Sequence, residues 1–93
     1  MSDLKELRVG ADSDPHRVGE AAAHVVAKAG KVRLTAIGTS AHSATLKAMA
    51  IARGALATRG RDSYCLVAFD EATLADGEQR PMIAVTIQVF EET

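Results

Sequence analysis

The chain has 93 residues, a formal net charge of −1, 47% hydrophobic residues and 3% aromatic ones. That length suits one domain, residues 1–93, burying only roughly 60–65% of its unfolded surface, and the charge excludes a uniformly basic polyanion binder. A single cysteine excludes an internal disulfide, three aromatic side chains (Tyr64, Phe69, Phe90) exclude a large base-stacking platform, and no segment reads as a signal peptide or membrane span, so a cytoplasmic protein without a membrane partner is expected.

Leu7 and Val9 alternate with Glu6 and Arg8, the pattern of a short half-buried strand. Asp14-Pro15 is a helix start: the aspartate can cap free N–H groups and proline suits the first helical position. In the helix that follows, Val18, Ala21, Ala22, Val25, Val26 and Ala29 form the expected apolar stripe, and Gly30 is the expected stop. A second strand alternates Val32, Leu34 and Ala36 against Arg33, Thr35 and Ile37. Gly38 turns the backbone, and Thr39 or Ser40 is the expected cap of a second helix closed by Gly54. On that helix Leu46 and Met49 are expected to face the core, with His42 at its upper edge. Its small-residue line Ala41, Ala44, Ala48 and Ala52, with Ile51, suits close packing against a partner. Tyr64 to Phe69 reads as a third strand. Residues 71–80 read as a polar loop with a turn at Asp76-Gly77. Met82 to Phe90 is the clearest strand, with Ile83, Val85, Ile87 and Val89 on one face, pairing with the third.

The order β-α-β-α-β-β, with strands apolar on one face only, predicts an α+β two-layer sandwich: a mixed four-stranded sheet with both helices on one face. Its open face should carry Glu6, Arg8, Arg33, Thr35, Thr86 and Gln88. A core this thin also predicts a homodimer or higher homo-oligomer.

The small net charge hides an uneven distribution. Residues 1–20 sum to −2, residues 21–61 to +7 without one acid, and residues 62–93 to −6. The basic middle can attract a polyanion or an acidic protein surface, including the chain's own last third.

Leu7-Arg8-Val9 followed by Ser13 and Pro15, then Ala36-Ile37-Gly38 and the run Lys47-Ala48-Met49-Ala50-Ile51-Ala52-Arg53-Gly54, form a set that Cys65, Ala68-Phe69, Asp76-Gly77-Glu78 and Arg80 complete. In this order and spacing the chain resembles the stage V sporulation protein S family, whose fold is that of the Alba group of nucleic-acid-binding proteins. The resemblance implies an Alba-like fold, a dimer or larger oligomer, a non-enzymatic role in sporulation or a related developmental programme, and contact with nucleic acid. The chain departs from the family's usual pattern at Ser43-Ala44, where an Asn-Gln pair is usual, and at Asp12, where lysine is usual. Alba proteins carry lysine where this chain has Ser13 and Asp14, so acid replaces base in the loop nearest phosphate in the Alba mode.

Enzyme chemistry finds no support in the residues. His16 and His24 are eight apart on a helix, too far to share a metal, and no Cys or carboxylate partner completes a site. Cys65 sits mid-strand without a basic neighbour, which suits an inert buried thiol. The glycines match no phosphate-loop pattern. No catalytic residue, metal or cofactor is expected. The clustered cations are the candidate site: Lys47, Arg53, Arg59 and Arg61, joined by Arg17 and Arg33, as phosphate contacts for DNA or RNA. The competing expectation is a protein–protein assembly module that self-associates through basic and acidic surfaces without nucleic acid.

Overall fold

The computed structural model describes residues 4–90, which run β1 (Glu6–Val9), α1 (Pro15–Ala29), β2 (Lys31–Ile37), α2 (Thr39–Ala57), β3 (Ser63–Thr73) and β4 (Gln79–Val89). The sheet order is β1-β2-β4-β3, with β1 parallel to β2 and the other two pairings antiparallel. Both helices cover one face, as the strand alternation predicts. Val9, Val32, Leu34, Ala36, Val85 and Ile87 of the sheet meet Ala22 and Val26 of α1 and Ala48, Ala52 and Leu56 of α2 in a single core.

The start of α1 follows the sequence reading. The Asp14 carboxylate accepts from the His16 N–H at 2.9 Å, Pro15 opens the helix, and Gly30 closes it at φ 90° with its N–H on the Val26 carbonyl. The buried stripe is shifted, however. Ala21 and Ala29 are exposed, and the buried residues are Gly19, Ala22, Ala23 and Val26. The shift comes from α2, which packs beside α1 as well as the sheet. A Cβ on Gly19 would lie 2.7 Å from the Ile51 side chain and 2.9 Å from the Ala48 carbonyl oxygen.

Three expectations for α2 are corrected. Its N-cap is Gly38 (φ 91°) and no side chain caps it, so neither Thr39 nor Ser40 does so. Gly54 does not end it: the helix continues to Ala57 because Leu56 is completely buried, and Gly60 (φ 75°) follows the last turn. The helix is also rotated from the expected orientation. Ala41, Ala44, Ala48 and Ala52 are buried in the chain's own core, whereas Leu46 is 66% exposed and Met49 half-buried. Small side chains let α2 approach both the sheet and α1, and that contact excludes the bulkier face. His42 does sit at the core's edge, its Nε2 3.2 Å from the Ala36 carbonyl oxygen, which that nitrogen must be protonated to engage.

The expected polar loop 71–80 is mostly strand. Glu71, Ala72 and Thr73 pair with Pro81, Arg80 and Gln79, leaving a tight turn in which the Leu74 N–H donates to the Glu78 carbonyl. Backbone pairing carries the hairpin beyond the helices, where both faces are open to solvent; every residue from Leu66 to Glu71 is exposed. On the outer face Thr35 is buried rather than open. It lies on a central strand, between Arg8 of β1 and Ala84 of β4.

Candidate nucleic-acid interface

The six candidate cations fall into different environments. Arg17 on α1, Lys47 on α2 and Arg59 just after α2 are exposed and have no carboxylate partner among the described residues. Arg59 borders a groove of about 390 Å³ between the helices, shared with Glu20 and His24. Arg53 reaches Asp62 at 3.8 Å with both side chains about 70% exposed (72% and 68%), a pair weak enough to be displaced by phosphate. Arg61 donates from Nη1 to the Ala27 carbonyl at 3.0 Å, serving the C-terminal end of α1. Arg33 stands apart. It lies on the sheet face opposite the helices and links the two edge strands, holding Glu6 of β1 at 3.0 Å and Asp70 of β3 at 3.3 Å. The fold therefore keeps Arg17, Lys47, Arg53 and Arg59 on the helix layer and separates Arg33 from them by the sheet.

The acids collect elsewhere. Asp70, Glu71, Asp76 and Glu78 lie along the β3–β4 arm, against the single cation Arg80, which pairs with Glu78 at 3.6 Å. Asp12 is exposed in the loop before α1, where the Gly10 N–H donates to the Ser13 hydroxyl at 2.8 Å. The molecule is thus basic on its helix layer and acidic on its arm and entry loop.

Two features escaped the sequence reasoning. The first is an apolar face. Leu46, Val67 and Phe69 are 66%, 62% and 86% exposed, and Leu46, Met49, Val67 and Ile83 line a small groove between α2 and the β3–β4 ribbon. The signal was the run Leu66-Val67-Ala68-Phe69, apolar on both faces of what proves to be an edge strand. The second is the meeting of Tyr64 with Phe90, ring centroids 4.7 Å apart. A hairpin turning at Asp76-Gly77 brings Tyr64 opposite residue 89, one position from its observed partner Gln88 and next to Phe90.

No group of three His, Cys, Asp or Glu side chains placed to hold a metal occurs among the described residues. Burial pushes the Cys65 thiol above its ordinary value, which lowers its thiolate fraction and its reactivity. No described helix is long and apolar enough to cross a membrane.

The family model for stage V sporulation protein S (SpoVS) matches residues 5–91. The chain belongs to this family. Among solved structures, the fold is similar to that of Alba from Thermoplasma volcanium, with a TM-score of 0.63 at 16% identity over 90% of this chain and 99% of that one. The match gives this stage V sporulation protein S member the Alba fold; at that identity it carries nothing about ligand. The Lys47–Gly54 run that marks the family in sequence is the middle of α2, where it supplies both the buried alanines of the helix crossing and the exposed Lys47 and Arg53.

Proposed function

We propose that this sporulation-family protein is a small, non-enzymatic nucleic-acid-binding protein of the cytoplasm, acting as a homodimer in a sporulation or related developmental programme. Its ligand is DNA or RNA, held by the phosphate backbone. The supporting observation is the outward surface of the helix layer, where Arg17, Lys47 and Arg59 are exposed without a carboxylate partner among the described residues and Arg53 is only loosely paired. On this helix layer they are point charges and forks suited to the phosphate backbone, so little sequence preference is expected there. A homodimer is supported by the exposed Leu46, Val67 and Phe69. A two-fold pairing of that face would cover it with a second copy of the chain. It would also double the basic field. Neutralising about six phosphates per dimer gives a slope near −5 of log affinity against log salt.

The test is a mobility shift with short duplex DNA, single strands and RNA at about 50 mM salt, using the parent and a Lys47→Glu/Arg53→Glu variant checked for folding by circular dichroism. The parent should bind and the variant should lose most of its affinity. Equal binding by both, or none by the parent, would transfer the assignment to the second reading, an assembly module. That reading draws support from the acidic arm and the apolar face, and it predicts salt-sensitive self-association without nucleic acid.

A further inference from the structure

We infer that the end of the sheet built by the start of β3 and the exit of β4 is a binding site for an unpaired nucleobase, separate from the phosphate-binding surface of the helix layer. Tyr64 and Phe90 are 26 positions apart in sequence, yet their rings pack at 4.7 Å between centroids, inclined by 44°. The backbone holds this end together from two sides. The Phe90 N–H donates to the Asp62 carbonyl at 3.1 Å, and the Val89 N–H donates to the Gly30 carbonyl at 3.3 Å. Against the ring pair lies an open cleft of about 520 Å³, bordered by Gly30, Lys31, Tyr64, Gln88 and Phe90. That volume lies within the range of small-ligand sites.

The chemistry of the lining selects the ligand. Phe90 is 55% exposed and offers an aromatic surface to solvent. Lys31, Gln88 and Tyr64 form one rung across the outer sheet face, since Lys31 is the register partner of Gln88 on β2–β4 and Tyr64 that of Gln88 on β3–β4. A carboxamide presents a donor and an acceptor side by side, which matches the edge of a base, and a planar heterocycle stacks on an aromatic ring. Lys31 is exposed, without a carboxylate partner among the described residues, and can meet one phosphate. A duplex cannot present such a base, because its bases are already stacked and paired.

Tyr64 is the only tyrosine, so its ring resonances report on this site alone. The folded protein should be titrated with adenosine and cytidine monophosphates, with short single strands and with a duplex of equal length, followed by NMR and by anisotropy of a labelled strand. A saturable upfield shift of the Tyr64 ring signals is expected with unpaired bases and not with the duplex. A shift with the monophosphates assigns free nucleotide as a source; a shift with strands alone assigns single-stranded nucleic acid. Phe90→Ala should weaken binding about ten-fold or more, the scale of one stacked base. Lys31→Ala should lower the salt slope by about one. Lys47→Glu/Arg53→Glu should leave the Tyr64 shift with the monophosphates intact, which separates this site from the helix-layer reading. No saturable Tyr64 shift at millimolar nucleotide or strand, or an equal affinity in Phe90→Ala, would overturn the proposal. Phe90 lies beyond the last strand and is more than half exposed, so its truncation spares the fold.

Discussion

A cation is most available to a phosphate where the fold leaves it without a close carboxylate. Arg33 and Lys47 look alike in the basic middle of the chain, but Arg33 holds Glu6 and Asp70 while Lys47 has no such partner among the described residues. The two Arg33 pairs are partly exposed, so together they are worth little more than ordinary surface pairs. Arg33→Ala is therefore expected to lower the unfolding free energy by about 1 kcal/mol in urea titrations while leaving affinity for short nucleic acids unchanged. A loss of binding as large as that of the Lys47→Glu/Arg53→Glu variant would move the contact surface to the sheet. The partners of Arg33 lie 27 and 37 residues away, beyond the reach of any local pattern.

At the scale of elements, the crossing of the two helices sets the demands on glycine. Gly19 sits where α1 touches α2, and an added methyl would collide with the Ile51 side chain and the Ala48 backbone carbonyl. The backbone atom cannot swing aside, so Gly19→Ala should destabilise by about 1–3 kcal/mol despite better helix propensity. Gly54 is the opposite case: it is helical and exposed, and nothing lies within 4 Å of where a methyl group would sit. Gly54→Ala should stabilise by about 0.5–1 kcal/mol. Thermal and urea denaturation of the pair should move in opposite directions; two shifts of the same sign would contradict the crossing geometry. Sequence alone could not separate these glycines, because both sit among alanines.

At the scale of the whole molecule, the exposed Leu46, Val67 and Phe69 form an apolar face on a small protein with charged surroundings, the kind of patch that marks an interaction surface. If a second copy covers it, Leu46→Glu with Phe69→Glu should reduce the mass measured by light scattering to about the 9.8 kDa of one chain, with circular dichroism unchanged. A parent protein already at that mass at micromolar concentration would remove the dimer from the proposal. The variant should also bind nucleic acid more weakly and with a shallower salt slope, since each monomer neutralises about half as many phosphates.

The element order, the one-sided strands, the Asp14 cap with Pro15 and the Gly30 stop were legible in the sequence. Each depends on residues within one element, where periodicity and local hydrogen bonding decide the outcome. The family was legible too, because the Lys47–Gly54 run is contiguous. Which face of α2 turns inward was not. An alanine-rich helix gains little from burying any particular stripe, so the orientation that lets it approach both α1 and the sheet prevails, and Leu46 is left outside. The extension of the arm through residues 71–73 and 79–81 was equally hidden, because backbone pairing there is independent of side-chain polarity. The tertiary structure alone sorted the cations into partnered and unpartnered ones and brought Tyr64 to Phe90, since charge pairing and ring contact depend on distances in space between residues far apart in the chain.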